Sequence, residues 1–155
     1  MNKNKKTVIF DLDGTLALID SRREISIGDD DKMDWDTFFD PKMISLDDPN
    51  QPVIDMANIL SKQGYTIYIL SGRSDVTYQA TIDWLNKYGV WFDNLIMRPK
   101  KHHFMPDNDL KQMWLNDTTI VNKDDIFAVF DDRQQVVDMW RDNGLFVFQV
   151  ADGDF

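Results

Sequence analysis

Two aspartates near the start of the chain stand two residues apart, directly behind a short apolar run. Residues 8–10 are Val-Ile-Phe, and the segment that follows, Asp-Leu-Asp-Gly-Thr, places carboxylates at Asp11 and Asp13. Side chains alternate along a strand, so we predict that both carboxylates lie on the same side of the backbone. Like charges held so close are unfavourable unless a cation offsets them, and a hard divalent cation takes oxygen ligands. The pair therefore predicts a cation site in which the two carboxylates divide the nucleophilic and acid/base roles.

The chemistry that suits such a pair is phosphoryl transfer. A carboxylate attacks a phosphate dianion poorly unless a divalent cation and fixed positive groups withdraw charge from the phosphorus. Asp11 is the candidate nucleophile, and Asp13 is the candidate to protonate the leaving oxygen and then to deprotonate the hydrolytic water. Asp131, with Asp132, would complete a Mg²⁺ site together with Asp11 and the main-chain carbonyl of Asp13.

Positive charge and hydrogen-bond donors are the other requirement of phosphoryl transfer. Lys111 is the candidate to offset the negative charge of the nucleophile and the phosphate. Hydroxyl or main-chain donors at Thr15 and Ser71 would hold the phosphoryl oxygens.

The elements that must position these residues are predicted from hydrophobic patterning. Nearly continuous apolar runs are typical of parallel strands buried on both faces, and they predict strands at 8–10, 65–70, 95–97, 126–130 and 145–150. Amphipathic periodicity with capping residues predicts helices at 53–63, 74–88, 106–114 and 134–143. This alternation predicts an α/β fold with a Rossmann-like, doubly wound parallel sheet of about five core strands and helices on both faces.

Polar clusters follow four of the predicted strands, at the point where each strand ends. In chain order they are Asp11 with Asp13, Ser71-Gly72-Arg73, Arg98, and Asp131 with Asp132. The ligand site of a doubly wound sheet lies beyond the carboxyl ends of its strands. We therefore predict that these clusters share one crevice.

Composition limits the remaining possibilities. The chain has 155 residues, 43% of them hydrophobic, and no Pro-, Gly- or Ser-rich linker, so a single domain over 1–155 is expected, with 16–48 as a small cap or flap. The absence of cysteine excludes disulfides, thiol nucleophiles and cysteine-bound zinc, and the only histidines, His102 and His103, are adjacent. No apolar stretch is long enough to span a bilayer, so we expect a soluble, cytoplasmic protein with no membrane partner.

Charge is distributed unevenly along the chain. The formal net charge of -10 argues against a protein that coats polyanions in general, because such binding depends on Lys and Arg neutralising phosphates. Acidic residues crowd 29–31, 34–36 and 47–48, whereas 98–103 form a basic island. Taken alone, such an island is most simply a solvated loop.

The motifs resemble those of a known superfamily. The segment 11–15, Ser71, Lys111 and the Asp131-Asp132 pair are similar, in identity, order and strand-end context, to the four motifs of haloacid dehalogenase phosphohydrolases. The resemblance implies covalent catalysis at the first aspartate with Mg²⁺ as cofactor.

A closer resemblance covers nearly the whole chain. Residues 65–73, 130–141 and 149–155 look like the 3′-phosphatase domain of bacteriophage polynucleotide kinase/phosphatase, above all in Gln-Val-Val-x-Met-Trp-Arg and the terminal Gly-Asp-Phe. The resemblance implies that further residues line the site, namely Arg22, Arg73, Arg98 and Asp107. The arginines would contact the substrate phosphate or the nucleic-acid backbone, and Thr15, Ser71 and Gly72 complete the predicted substrate-binding set. Residues 100–103 become candidate contacts.

Two features depart from the bacteriophage pattern. Those enzymes usually carry an amino-terminal kinase domain, but no glycine here is followed by lysine, so the P-loop motif is absent and a stand-alone phosphatase domain is expected. The acidic segment 24–40 also matches poorly. Its aromatics, Trp35, Phe38 and Phe39, are candidates either to stack on a base or guard the site, or to pack the flap onto the core.

The leading hypothesis is a Mg²⁺-dependent phosphomonoesterase that removes 3′-phosphates from DNA or RNA ends, with 2′,3′-cyclic phosphates as further candidate substrates. A separate kinase or ligase is a candidate partner. The alternative is a nucleotidase that acts on free nucleoside or deoxynucleoside monophosphates. A catalytically silent nucleic-acid-binding or assembly subunit is the third hypothesis, but binding alone would not require the motif aspartates, the lysine and the acidic pair.

Overall fold

The computed structural model describes residues 5–153, so the last two residues of the terminal Gly-Asp-Phe motif lie outside the described part. Within this range the strands are β1 (Thr7–Phe10), β2 (Ala17–Leu18), β3 (Asp48–Pro49), β4 (Thr66–Ser74), β5 (Asn94–Arg98), β6 (Ile126–Asp131) and β7 (Val147–Gln149). The helices are α1 (Asp20–Ser26), α2 (Trp35–Phe38), α3 (Gln51–Lys62), α4 (Tyr78–Lys87), α5 (Asp107–Asn116) and α6 (Gln134–Asp142). Short 3-10 turns occupy Pro41–Leu46, Asp75–Thr77, Lys100–His102 and Lys123–Asp125.

Five parallel strands form the central sheet, in the order β5-β4-β1-β6-β7. The first strand is central, and Phe10 pairs with Ile69 of β4 on one side and with Phe130 of β6 on the other. This order confirms the predicted Rossmann-like fold. Because all five strands run in the same direction, their carboxyl ends meet at one edge of the sheet.

The alternation of side chains along β1 explains why helices cover both faces of the sheet. Val8 and Phe10 belong to a core cluster that includes residues of α3 and α4. Ile9 points to the opposite face, where it joins residues of α5 and α6. A strand buried on both faces must be apolar at every position, as residues 8–10 are.

Two predicted boundaries differ from the structure. The strand predicted at 65–70 is β4, which continues to Ser74 with a register shift between Ser71 and Ser74. The polar segment 71–73 therefore lies within the end of this strand. The helix predicted from Ser74 begins only at Tyr78, because Ser74 caps the 3-10 turn Asp75–Thr77. The other predicted strands and helices agree with the structure to within three residues.

The segment predicted as a flap, 16–48, starts and ends at a small antiparallel pair. In this pair Ala17 faces Pro49 and Leu18 faces Asp48. Residues 19–47, which include α1 and α2, form an insertion between β1 and α3. The role of this insertion as a flap stays a prediction.

No helix among residues 5–153 is both long enough and apolar enough to cross a membrane.

Candidate active site

Asp11 follows β1 directly and contacts a buried ammonium group. Its main-chain N–H donates to the carbonyl of Phe130, which ties this end of β1 to β6. Lys111 reaches up from α5 and donates from Nζ to Asp11 Oδ1 at 2.7 Å. The hydroxyl of Thr15 lies 3.2 Å from Asp11 Oδ2. The predicted nucleophile is therefore oriented by a cation on one oxygen and by a hydroxyl on the other.

Asp131, at the end of β6, is held by donors from both helices on that face of the sheet. Lys111 Nζ donates to Asp131 Oδ2 at 3.1 Å. The indole N–H of Trp140, from α6, donates to the same oxygen at 3.1 Å. The other oxygen accepts the main-chain N–H of Asp132 at 2.9 Å. These contacts fix the carboxylate, and Trp140 is an orienting residue that the sequence did not reveal, since its helical position indicated a core residue only.

Three of the predicted metal ligands lie together. Carboxylate oxygens of Asp11, Asp131 and Asp132 all lie within 4.8 Å of one another, and all three residues are buried. Gly14 allows this approach, because a Cβ at that position would lie 2.1 Å from Asp132 Oδ2 and the residue has a φ of +86°. Three oxygen donors and no nitrogen or sulfur form a donor set that suits Mg²⁺. These residues fit the ion that the sequence predicts.

The charge balance of this cluster gives a second reason to expect a cation. Burial raises the pKa of Asp11 well above its ordinary value, against the opposing effect of Lys111. Burial and the neighbouring Asp131 raise the pKa of Asp132 as well. Burial lowers the pKa of Lys111, but the carboxylates of Asp11 and Asp131 outweigh it, so the ammonium is favoured. One ammonium does not balance three carboxylates, and a bound divalent ion would.

Asp13 lies in a different environment, between two arginines. Arg22 donates to Asp13 Oδ1 at 2.8 Å, and Arg73 donates to the same oxygen through Nε and a terminal nitrogen. Burial raises the pKa of Asp13, but the two guanidinium groups more than offset it and the pKa lies below its ordinary value. The Asp13 carboxylate is not part of the three-carboxylate cluster. Its predicted metal contact therefore rests on its main-chain carbonyl alone.

Asp47 is a fourth participant that the sequence did not single out. It accepts from Arg22 Nε at 2.9 Å and from Arg73 at 2.9 Å, and its side chain is fully buried. Its main-chain carbonyl accepts the indole N–H of Trp84 at 2.9 Å. Burial raises the pKa of Asp47 to about 6, while Arg22 and Arg73 oppose this shift. In the sequence Asp47 is one of two adjacent aspartates, and no pattern distinguishes it from its exposed neighbour.

The two arginines are directed at protein acceptors rather than at open space. The side chains of Arg22 and Arg73 are both 0% exposed. Arg22 also donates to the carbonyl of Phe38 at 3.2 Å, and Arg73 donates to the hydroxyl of Thr81 at 3.0 Å. Contact of these arginines with a substrate phosphate or a nucleic-acid backbone stays a prediction. In this structure the two guanidinium groups hold the carboxylate of Asp13 in place.

Arg98, Gly72 and Asp107 form a third group beside the site. Arg98 donates to the carbonyl of Gly72 at 2.7 Å and to Asp107 Oδ1 at 3.0 Å. A Cβ at Gly72 would lie 1.8 Å from Asp107 Oδ1, so only glycine allows this approach. Ser71 is buried next to Gly72, and its hydroxyl accepts the main-chain N–H of Arg73 at 3.1 Å. Arg98 thus joins the end of β4 to the start of α5.

The aromatics of the acidic segment pack against one another within the insertion. Phe38 is buried, and the guanidinium of Arg22 lies 4.3 Å from the centre of its ring. Phe39 packs edge-on against Phe38 and stacks with Trp35, which is 59% exposed. Phe38 therefore packs within the insertion, against Arg22 of α1, and its packing onto the core stays a prediction. For Trp35 contact with a substrate stays a prediction.

Comparison with known proteins identifies the family. The sequence profile described as "Polynucleotide kinase PNKP phosphatase domain" matches residues 5–155. The chain belongs to this family. It is thus a phosphatase domain of the haloacid dehalogenase superfamily, as the motifs had indicated.

Two larger proteins resemble this PNKP phosphatase domain over most of its length. A viral protein assigned as a bifunctional polynucleotide kinase/RNA ligase, from Autographa californica nuclear polyhedrosis virus, is 31% identical over 91% of the chain and 18% of its own length. The structure of the Pnkp1/Rnl/Hen1 complex contains a chain with 32% identity and a TM-score of 0.78, over 99% of this chain and 48% of that one. The chain thus spans less than half of these relatives.

A more distant similarity concerns the fold alone. A haloacid dehalogenase-like hydrolase from Streptococcus pneumoniae has a TM-score of 0.68 at 15% identity, over 94% of this chain and 84% of that one.

Proposed function

We propose that this PNKP phosphatase domain is a Mg²⁺-dependent phosphomonoesterase that removes 3′-phosphates from nucleic-acid ends. The observation that supports it most is the contrast between two aspartates on one short segment. Asp11 faces a lysine and two further carboxylates, whereas Asp13 is held by two arginines. Covalent phosphoryl transfer needs these two functions side by side, a nucleophile at a cation site and a separately held acid/base.

In the proposed reaction, an oxygen of Asp11 attacks phosphorus and forms an aspartyl-phosphate while the bond to the leaving oxygen breaks. Asp13 donates a proton to that oxygen. Asp13 then takes a proton from the water that attacks phosphorus, which releases inorganic phosphate and restores Asp11. A bound Mg²⁺ would supply charge stabilisation to the phosphoryl group, held by Asp11, Asp131, Asp132 and the carbonyl of Asp13.

Lys111 and Asp13 have complementary electrostatic tasks in this scheme. The Lys111 ammonium stays on Asp11 Oδ1 and offsets negative charge as the phosphate approaches. The arginines hold Asp13 as a carboxylate in the free domain, so it must gain a proton before it can act as an acid. The negative charge of a bound phosphate beside Asp13 raises its pKa and favours that protonation.

The proposal that the substrate is a polynucleotide depends on the similarity of this domain to its relatives. The family and both larger relatives carry polynucleotide kinase or Pnkp1 in their names, and one of those relatives is assigned as an RNA ligase while the other is complexed with Rnl and Hen1. We propose accordingly that the domain prepares 3′ ends of DNA or RNA and acts alongside a kinase or a ligase.

A phosphate-release panel with Mg²⁺ tests this function. The substrates are 3′-phosphorylated DNA and RNA oligonucleotides, a 2′,3′-cyclic phosphate end, 5′-phosphorylated oligonucleotides and free mononucleotides, with Asp11→Asn as the inactive control. We expect release from 3′ ends only, and no release after chelation of the metal. Activity confined to 5′-mononucleotides would instead support a nucleotidase and would overturn the proposal.

A further inference from the structure

The loop between β5 and α5 carries an unusual exposed side chain. Phe104 is 88% exposed, more than any other large hydrophobic residue among the described positions. Its ring contacts the imidazole of His103, whose centre lies 3.7 Å away. Single exposed apolar side chains are common on protein surfaces, so the significance of this ring depends on how it is held and on what surrounds it.

The loop is held in place although it is exposed. Arg98 donates to the carbonyl of His102 at 2.8 Å and to that of Met105 at 2.5 Å, on either side of Phe104. The same guanidinium bonds to Gly72 and Asp107, which border the active site. Phe104 is thus presented by an anchored turn and not by a free loop. The hydrogen bond from Arg98 to the carbonyl of Gly72 connects this turn to the end of β4, next to Ser71.

Charge is the second distinguishing feature of this loop, which we call the basic loop, residues 99–105. It contains two lysines and two histidines and no acidic residue, within a chain whose net charge is -10. Lys100 and Lys101 are exposed, so their charges are available to a ligand. An exposed aromatic ring among cations suits single-stranded nucleic acid, because a base can stack on the ring while phosphates pair with the cations. A protein partner with an apolar contact would need neither lysine.

We propose that the basic loop binds the single-stranded segment next to the terminal phosphate, with a base stacked on Phe104 and backbone phosphates paired with Lys100 and Lys101. This inference rests on the proposed function and adds to it the element that distinguishes a strand from a mononucleotide. The active site alone recognises a phosphate. The basic loop would recognise what the phosphate is attached to.

The test compares Phe104→Ala with the wild-type domain on two substrates, a 3′-phosphorylated oligonucleotide of about ten nucleotides and a 3′-mononucleotide. We expect the KM for the oligonucleotide to rise about tenfold, as loss of one stacked base implies, with kcat unchanged. Both constants for the mononucleotide should stay as they are. Phe104→Trp should restore the wild-type KM, because an indole stacks as well as a phenyl ring.

Two further variants separate stacking from charge and from general surface effects. The double variant Lys100→Gln/Lys101→Gln should lower the slope of log affinity against log salt by about 1.4, since each contact to a single strand contributes about 0.7. Phe146→Ala is the matched control, because Phe146 is also an exposed phenylalanine, at 65%, but lies beside β7. Phe146→Ala should change neither KM nor kcat for either substrate.

The outcomes distinguish failure of this inference from failure of the proposed function. If the wild-type domain releases phosphate from 3′ ends but Phe104→Ala keeps the wild-type KM for the oligonucleotide, the inference is wrong and the function stands. An equal loss on the mononucleotide would also overturn it, because the loop would then only support the site. If no 3′ end is hydrolysed, the proposed function fails, and affinity for a labelled oligonucleotide, compared between wild type and Phe104→Ala, still decides the inference. Unchanged affinity would leave the loop as a surface for a protein partner.

Discussion

Asp11 and Asp13 are two residues apart in the sequence, yet they belong to two clusters with opposite charge balance. The Asp11 cluster places three buried carboxylates against one ammonium, that of Lys111. The Asp13 cluster pairs two carboxylates with two guanidinium groups and is neutral as it stands. Burial raises the pKa of Asp11, whereas the arginines lower that of Asp13.

The difference shows how one short segment can serve two chemical roles. A cluster that lacks positive charge is poised to take up a cation, and its carboxylate can then attack a phosphate. A cluster that is already neutral needs no ion, and it holds its carboxylate in a fixed place for proton transfer. Helices α5 and α6 contribute to the Asp11 cluster, and the 19–47 insertion contributes to the Asp13 cluster.

The largest expected effect comes from removing the nucleophile. Asp11→Asn keeps the size of the side chain but cannot form a stable acyl-phosphate, so we expect phosphate release to fall by at least ~1,000-fold. Rapid acid quenching with a substrate labelled in its 3′-phosphate should label the wild-type protein and not the variant. Asp48→Asn, an exposed neighbour of Asp47, is the control and should behave as wild type. Labelling of Asp11→Asn would contradict the assignment of the nucleophile.

Asp13→Asn tests the other half of the comparison, and its effect should depend on the leaving group. Loss of a general acid costs about 100- to 10,000-fold when the leaving oxygen is a poor one, such as a sugar 3′-oxygen. An aryl phosphate with an acidic phenol leaves without that help, so its hydrolysis should fall much less in the first step. We expect the ratio of the two rates to change sharply in Asp13→Asn. An equal loss on both substrates in the step that forms the aspartyl-phosphate would mean that Asp13 is not the general acid.

Removal of the Asp47 carboxylate from the Asp13 cluster should lower the free energy of unfolding as well as the rate of phosphate release. Asp47→Ala leaves Arg22 and Arg73 with one carboxylate fewer in a buried place, and loss of one partner of a buried ion pair costs about 3–5 kcal/mol. Urea unfolding should show this loss, and Asp48→Ala should change the free energy of unfolding by less than about 0.5 kcal/mol. If the two variants unfold alike, Asp47 does not support the arginines.

The sequence predicted the Asp11 cluster better than the Asp13 cluster, and the reason is local. Asp11, Lys111 and Asp131 were all named in advance, because strand ends and motif order place such residues together. Asp47 was missed, because its partners come from α1 and β4 and its own segment has no regular pattern. Arg73 was predicted from its position at a strand end and Arg22 from resemblance alone. The buried orientation of both arginines toward Asp13 depends on packing that no spacing in the sequence encodes.

The fold shows the same division between patterns and tertiary contacts. The five central strands follow from apolar runs, which strands buried on both faces require. The boundary at Ser74 was placed wrongly, because a serine that caps a 3-10 turn and a serine that caps a helix have the same sequence signature. Basic residues 98–103 looked like a solvated loop by composition, and only the hydrogen bonds of Arg98 show that the loop is anchored.

The smallest expected effect is thermal, and it tests the charge deficit of the Asp11 cluster directly. The raised pKa values of Asp11 and Asp132 mean that the folded, metal-free domain binds more protons than the unfolded chain above the ordinary carboxyl range. Stability from these groups therefore falls as pH rises through that window, while ionised ligands bind Mg²⁺ better. The lowered pKa of Asp13 acts only at more acidic pH.

Mg²⁺ should accordingly raise the melting temperature more at about pH 8 than at about pH 5, by about 2–4 °C for each kcal/mol of binding. Asp132→Asn should remove most of this increase, and in the absence of metal it should melt at or above the wild-type temperature at the higher pH. Asp48→Asn should keep the full increase. An increase that is the same at both pH values would show that the carboxylates are already ionised without the metal. The two clusters would then differ in their partners and their charge balance, but the pKa values of Asp11 and Asp132 would not be raised.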